Sequence, residues 1–80
     1  MTREELRGIV DAALNDVAPE ADLALLADDA DLRMELDIDS MGFLDFITAL
    51  HAKLGVEIPE TDANRMATRA AVLDYLTARL

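Results

Sequence analysis

The chain has 80 residues and a mass of 8.7 kDa, enough for one small domain with a single core, so we expect residues 1–80 to form one domain. Its 17 acidic and 7 basic residues give a formal net charge of -10, which disfavours nucleic acid as a partner because the phosphates would be repelled. The absence of cysteine excludes disulfides, thiolate metal sites and a cysteine nucleophile.

Helix-forming residues dominate the composition. The chain has 13 leucines and 14 alanines but only 4% aromatic residues, which favours an all-α domain over a β-sandwich. The first residues, MTREEL, are mostly polar and do not form the apolar stretch of a secretion signal. No apolar run approaches the ~20 residues needed to cross a membrane. We therefore expect a soluble, cytoplasmic monomer without a membrane span.

An apolar stripe at helical spacing predicts a first amphipathic helix that ends before Pro19. Thr2 and Glu5 form a capping-box pattern at its start. The stripe comprises Leu6, Ile9, Val10, Ala13, Leu14 and Val17.

A long acidic connection follows over residues 18–39. Connections of this length usually contain structure or carry function. Pro19 suits the first position of a helix, which predicts a short extra helix over 20–27. We expect apolar residues in the second half of the connection to anchor it across the helix ends: Leu32, Met34 and Leu36.

The next helix is predicted over residues 40–54, with Ser40 as its N-cap and Gly55 as its C-terminal stop. Met41 and Leu44 lie off the core stripe of this helix, beside Ser40, and form a candidate docking patch. The core stripe comprises Phe43, Phe46, Ile47, Leu50 and Leu54.

The remaining segments are shorter. Residues 56–59 alternate in polarity and end in proline, which predicts an extended segment. Residues 60–65 are predicted to form one or two helical turns, and Thr68 to open a last helix. The residues of that helix predicted to face the core are Val72, Tyr75, Leu76 and Leu80.

Several kinds of chemistry are disfavoured by the sequence. The single histidine, His51, follows Ser40 by eleven residues on one predicted helix, roughly 16 Å along its axis at ~1.5 Å per residue, too far to act as its base. We therefore interpret His51 as a solvent-exposed helix residue. Residues 37–48 partly match a calcium-binding loop, but Met41 stands at position 5 and Thr48 replaces the bidentate glutamate at position 12. No metal site is predicted.

Ser40 itself permits two interpretations. It is either an ordinary helix cap or a hydroxyl that receives a phosphate at a helix N-terminus, where free N–H groups and the positive end of the helix dipole suit an anion.

The surrounding sequence favours the second interpretation. The segment LDIDSM at residues 36–41 resembles the Leu-Gly-x-Asp-Ser-Leu attachment signature of the acyl carrier protein family. The Ile-Pro pair at residues 58–59 resembles the one that follows the second helix in that family, and residues 66–76 are similar to its last helix. The resemblance runs without gaps from about residue 32 to residue 76.

The resemblance implies a four-helix bundle with a long loop after the first helix and a short third helix. It implies that Ser40 carries 4′-phosphopantetheine, transferred from coenzyme A by a separate phosphopantetheinyl transferase. Acyl groups would be held on this arm as thioesters, and the protein itself would not be an enzyme. Asp39 would help to present Ser40 to the transferase.

The resemblance also implies a docking face on the second helix. Acyl-loading and acyl-transferring enzymes with basic or apolar docking faces would bind it. The residues expected on this face are Met41, Leu44, Asp45 and Thr48.

The sequence departs from the family pattern at three places. Asp37 replaces the signature glycine, and Met41 replaces the leucine that follows the serine. The second helix contains a single acid, Asp45, where relatives in bulk fatty-acid synthesis carry several. The single acid on the second helix and the long first loop favour a specialised fatty-acid, lipid or polyketide carrier. Two alternatives stay open: an aminoacyl or peptidyl carrier, and an acidic helical interaction module that is never modified.

Overall fold

The computed structural model describes all 80 residues and contains only helical elements, with no β-strand. The elements are α1 (Arg3–Val17), α2 (Leu32–Glu35), α3 (Ser40–Leu54), a 3₁₀ helix (Glu60–Arg65) and α4 (Arg69–Thr77). The predicted all-α class and the three long helices are confirmed, and the predicted short third helix is the 3₁₀ helix. The four-residue helix α2 was not predicted. None of the helices combines the length and the apolar character needed to cross a bilayer.

Helix α1 begins at the predicted capping box. The Thr2 hydroxyl accepts a hydrogen bond from the Glu5 N–H at 3.1 Å, and the Glu5 carboxylate accepts one from the Thr2 N–H at 2.9 Å. These two bonds satisfy backbone donors that have no partner within the helix. The apolar stripe packs against α3 and α4, and its buried members are Leu6, Val10, Ala13 and Leu14.

The connection after α1 does not contain the helix predicted over 20–27. The chain forms successive turns there, with i→i−3 backbone bonds from Leu25 to Asp22 and from Leu26 to Leu23. The Asp22 carboxylate also accepts the Ala24 N–H at 3.2 Å, a local bond that competes with helix formation. The carbonyls of Leu23 and Leu26 then bond to a side chain far along the sequence.

That side chain is Arg69, at the start of α4, which is 1% exposed. Its guanidinium donates to the Leu23 and Leu26 carbonyls and to the carboxylates of Asp11 on α1 and Asp28 in the connection. Each of the three side-chain nitrogen atoms of the buried arginine thereby donates at least one hydrogen bond, and no buried side-chain nitrogen or oxygen atom in the chain lacks a partner. Arg69, on α4, therefore links the connection to both α1 and α4.

Backbone bonds reinforce this attachment. The Ala70 N–H donates to the Asp28 carbonyl at 3.0 Å, and the Leu32 N–H donates to the Ala67 carbonyl at 2.8 Å. Because α2 begins at Leu32, these bonds set where α2 lies relative to the start of α4.

Most apolar residues predicted to face the core do so, and they form one cluster. On α3, Leu54 is only half-buried, and the other four predicted core residues are buried. Leu32 is buried and Leu36 is half-buried, as expected for the second half of the connection. Val72, Tyr75 and Leu76 of α4 are all buried.

Two predicted packing contacts are wrong. Met34 is 80% exposed because α2 turns this residue outward while it buries Leu32. Leu80 is 57% exposed because α4 ends at Thr77, and the helical register that would have turned residue 80 inward stops there.

The 3₁₀ helix is held to α4 through Tyr75. Its hydroxyl donates to the Asp62 carboxylate at 2.5 Å, and burial together with this carboxylate raises the pKa of Tyr75. The Arg79 guanidinium stacks over the tyrosine ring at 3.5 Å and also pairs with Asp62. The 3₁₀ helix therefore has a fixed position against α3 and α4.

The Asp28 carboxylate provides a test of the attachment of the connection. Hydrogen bonds from Arg7 and then from Arg69 lower its pKa from 3.8 to about 2. A depressed folded-state pKa stabilises the fold above the unfolded value, and this stabilisation disappears as the pH falls from about 4 to about 2. We expect Asp28→Asn to be less stable than the parent at pH 7, and the difference to close over that pH range in urea-unfolding measurements.

The matched control is Asp29→Asn, which removes the same charge from the neighbouring exposed residue, a carboxylate in no ion pair. It should follow the parent protein at every pH. A stability difference for Asp28→Asn that stays constant down to pH 2 would contradict the assignment.

Candidate functional site

The candidate site lies where the chain leaves α2 and enters α3. Asp37, at the turn, has a φ of 53°, in the left-handed region that favours glycine. Aspartate is one of the few other residues that adopts this conformation readily. This is how the chain accommodates Asp37 where the family signature has glycine. The turn is closed by the Ile38 N–H, which donates to the Arg33 carbonyl at 2.9 Å.

The N-cap of α3 is Asp39, and the prediction that Ser40 caps the helix is wrong. The Asp39 backbone is extended, and its carboxylate accepts the Gly42 N–H at 2.7 Å. A carboxylate is the stronger acceptor for this donor, so it takes the capping position. Ser40 is therefore the first helical residue, and its hydroxyl is not used to cap the helix.

Gly42 allows the buried Ile38 side chain to lie against the first turn of α3. A Cβ atom at residue 42 would come 2.8 Å from Ile38 Cγ2, closer than side chains pack. The absence of a side chain at this one helical position therefore lets the turn and the helix meet. Together, the Asp39 cap and the Ile38 contact fix the first turn of α3, which carries Ser40.

The Ser40 side chain is exposed on that turn. Its Oγ accepts a hydrogen bond from Arg33 Nη2 at 2.9 Å. Ser40 is also the only serine in the chain. The helix N-terminus adds the positive end of the α3 dipole at this position.

A cleft of about 520 Å³ opens beside Ser40, between the start of α3 and the 3₁₀ helix. Its lining combines apolar and polar side chains, among them Arg33, Phe43, Leu44, Thr61, Ala63 and Asn64. A larger cavity of about 570 Å³ lies between the start of the connection and the end of α2 and does not include Ser40.

The other residues predicted for docking lie along α3 in different environments. Met41 is 74% exposed, and Asp45 and Thr48 are also exposed. The Thr48 hydroxyl donates to the Leu44 carbonyl at 2.9 Å within the helix. Leu44 is half-buried because it lines the cleft beside Ser40. The connection therefore leaves Met41 uncovered.

The structure does not bring a base or a metal-binding group to Ser40. His51 is exposed further along α3, and its Nδ1–H donates to the Val56 carbonyl at 2.9 Å. Residues 40–48 are helical, so they cannot form the loop of a calcium site. No group of three or more histidine, aspartate or glutamate side chains is arranged to hold a metal ion.

Two features of the site were missed by the sequence reasoning. Arg33 lies seven residues before Ser40 on a helix too short to produce a periodic pattern, so no sequence pattern indicated the contact. The role of Gly42 depends on the approach of Ile38, which only the folded turn produces.

An exposed serine at the start of a long helix, with no base beside it, suits the attachment of a group better than nucleophilic catalysis. In agreement, residues 4–76 match the family model described as "Phosphopantetheine attachment site". The chain is 37% identical over 57 residues to "Acyl carrier protein 2" of Pseudomonas aeruginosa, covering 71% of this chain and 68% of that protein. It is 32% identical over 73 residues to the "Acyl carrier protein" of Campylobacter hominis, covering 91% of this chain and 86% of that protein.

A third relative spans the whole chain. It is the "Polyketide-8 synthase acyl carrier protein 2" of Streptomyces avermitilis, 29% identical over 80 residues, which cover 100% of this chain and 86% of that protein. The protein therefore belongs to the acyl carrier protein family. Members of this family are carriers rather than enzymes, bear phosphopantetheine, and interact with a phosphopantetheinyl transferase and with acyl-handling enzymes.

The residues at the start of α3 fit this cofactor. The Ser40 hydroxyl is exposed, is not bonded to a carboxylate, and lies beside an open cleft. Ser40 is the residue that would hold the group, and Asp39 and Gly42 are the residues that fix its turn.

Gly42 provides a test of how this turn is built. Gly42→Ala should lower the free energy of unfolding by about 1–3 kcal/mol because the new methyl overpacks against Ile38, even though alanine is the better helix former. Gly8→Ala is the matched control, because Gly8 lies in α1 and a Cβ there meets nothing within 4 Å. This control should stabilise the protein by about 0.5–1 kcal/mol.

The contact is tested directly by adding Ile38→Leu, which removes Cγ2 but keeps the side-chain volume. The cost of Gly42→Ala should fall by more than ~0.5 kcal/mol in that background, measured by chemical unfolding. Equal costs in the two backgrounds would show that Ile38 is not what excludes a side chain at residue 42.

Proposed function

We propose that Ser40 is the residue to which phosphopantetheine is attached, and that the protein carries acyl groups for a specialised fatty-acid, lipid or polyketide pathway. The observation that carries the first part is that the only serine of the chain is exposed on the first turn of α3, within the region that matches the family. When bound, the cofactor supplies a terminal thiol that holds acyl groups as thioesters.

The physical setting of Ser40 supports this assignment. The first turn of a 15-residue helix presents backbone N–H groups and the positive end of a dipole, which favour a phosphodiester at that position. Asp39 already binds the Gly42 N–H and so holds the turn in one conformation. We propose that this rigid turn is what Asp39 contributes to recognition by the transferase.

The composition of α3 supports a specialised pathway. Its only acid is Asp45, so little negative charge is available to attract a basic partner. Met41 is exposed beside Ser40 and offers an apolar contact instead. A relative that spans the full chain belongs by name to a polyketide synthase. We therefore place polyketide or related acyl groups among the cargoes to be tested first.

We further propose that residues 1–80 act as one domain and as a monomer in the cytoplasm. One apolar cluster includes residues from all four α-helices, and the half-buried Ala63 of the 3₁₀ helix packs against it, so no part of the chain has a separate core.

The attachment residue can be tested with a broad-specificity phosphopantetheinyl transferase, coenzyme A and Mg²⁺. The intact mass of the parent protein should rise by that of one phosphopantetheine group, and Ser40→Ala should show no gain. Thr77→Ala, which removes an exposed hydroxyl from the end of α4, is the control and should be modified normally. A mass gain that persists in Ser40→Ala would overturn the assignment.

The cargo can be identified by mass spectrometry of the thioester on protein isolated from its own cells. A fatty-acyl or polyketide group would support the proposed pathway class. An amino acid or peptide on the arm would instead identify an aminoacyl or peptidyl carrier, and protein isolated without any arm would favour the unmodified interaction module.

The docking face can be tested by acyl transfer to a partner enzyme. Met41→Ala should slow transfer at limiting carrier by roughly 5-fold or more, because truncating a side chain that anchors an interface costs more than ~1 kcal/mol. We expect the same direction for Leu44→Ala, with some loss of thermal stability because Leu44 is half-buried. Asp45→Ala should have the smaller effect, since an exposed ion pair contributes about 0–1 kcal/mol.

Leu25→Ala is the control, because Leu25 is an apolar residue that is 83% exposed but lies in the connection rather than on α3. It should leave transfer unchanged. A ranking in which Asp45→Ala is the most damaging substitution would indicate electrostatic docking and would contradict the apolar face.

A further inference from the structure

Arg33 differs from every other basic side chain in the protein. The chain has 7 lysines and arginines, and each of the others forms an ion pair with a carboxylate: Arg3, Arg7, Lys53, Arg65, Arg69 and Arg79. Arg33 forms no ion pair, although the chain contains 17 acids and both Asp31 and Glu35 are close to it in sequence. Its one side-chain hydrogen bond is to Ser40.

The backbone around Arg33 is held firmly. The Asp31 carboxylate caps α2 by accepting the Met34 N–H at 3.1 Å, and the Arg33 carbonyl accepts the Ile38 N–H at 2.9 Å. The guanidinium reaches from this fixed backbone to Ser40 Oγ and forms part of the wall of the cleft. The arginine is therefore positioned by the same turn that positions the serine.

A neutral hydroxyl is a modest partner for a guanidinium, and it leaves the other N–H donors of Arg33 without a protein acceptor. A phosphate is a much stronger partner, because its oxygens match the planar fork of the guanidinium and complement its charge. A phosphate esterified to Ser40 would be attached at the very atom that Arg33 contacts now.

We propose that Arg33 is a positioning residue that binds the phosphate carried by Ser40 and so holds the base of the arm at the mouth of the cleft beside α3. The inference rests on the proposed function of Ser40. It also explains how a chain of net charge -10 accepts one more negative charge at a position flanked by Asp39.

The test compares apo and phosphopantetheinylated forms of the parent protein, Arg33→Gln, Arg33→Lys and the control Arg3→Gln. Arg3→Gln removes the same unit of charge from a residue that pairs with Asp74 instead of contacting Ser40. Intact mass and peptide mapping first establish modification at Ser40. The melting temperature is then measured for both forms of each variant, and the ³¹P NMR spectrum for each modified form.

The change in melting temperature on modification should be about 2–4 °C less favourable in Arg33→Gln than in the parent. Arg3→Gln should behave as the parent. The ³¹P resonance should shift and narrow in Arg33→Gln because the phosphate is no longer held. Arg33→Lys should give intermediate values, since it keeps the charge but loses the planar fork. Added salt should reduce the difference between the parent and Arg33→Gln.

Modification at Ser40 with the same ³¹P spectrum and the same melting shift in the parent and Arg33→Gln would overturn the role of Arg33 and leave the proposed function intact. A slower modification of Arg33→Gln with an unchanged ³¹P spectrum would also overturn it, because Arg33 would then act on the transferase. Modification at a residue other than Ser40 would overturn the proposed function and, with it, this inference.

Discussion

The arrangement of this protein depends on one buried arginine. Arg69 binds two carbonyls of the connection and the carboxylates of Asp11 and Asp28, so it joins α4 to α1 and to the connection. Leaving such a group without partners in the interior costs about 3–5 kcal/mol, a large share of the 5–15 kcal/mol that stabilises a domain. Because α2 lies in the second half of this connection and leads to the start of α3, the Arg69 contacts also influence where Ser40 lies.

The site is built from residues that depart from local preference. Asp37 adopts a left-handed conformation, and Gly42 lies inside a helix where alanine would be the better helix former. Both departures serve the sharp turn between α2 and α3, which buries Ile38 beneath the first turn of α3. The result is a rigid helix start whose serine hydroxyl is exposed and does not cap the helix. For a carrier protein, a fixed attachment point combined with a flexible arm lets separate enzymes find the same group in the same place.

The basic side chains that hold the fold together are distinct from the one at the candidate site. Six of the seven basic side chains are paired with carboxylates that hold helices and turns together, and the remaining one contacts Ser40. Helix α3 contributes one acid, Asp45, and an exposed apolar side chain, Met41. Helix α3 itself therefore carries little of the negative charge of the chain, and the acids nearest Ser40 in sequence are Asp37 and Asp39, just before the helix.

The sequence by itself determined the features that arise from local physics. The bounds of α3, the capping box of α1 and the core stripes depend on neighbouring residues and on helical periodicity, so all were predictable. The attachment signature was identified by its resemblance to a known family. The helix expected over 20–27, the capping role of Ser40 and the burial of Met34 and Leu80 were wrong. Only the tertiary structure decided these points, because each depends on geometry that periodicity does not encode. Arg69 donates hydrogen bonds to carbonyls of residues more than 40 positions away in the sequence. The turn at Asp37 decides whether Asp39 or Ser40 caps α3.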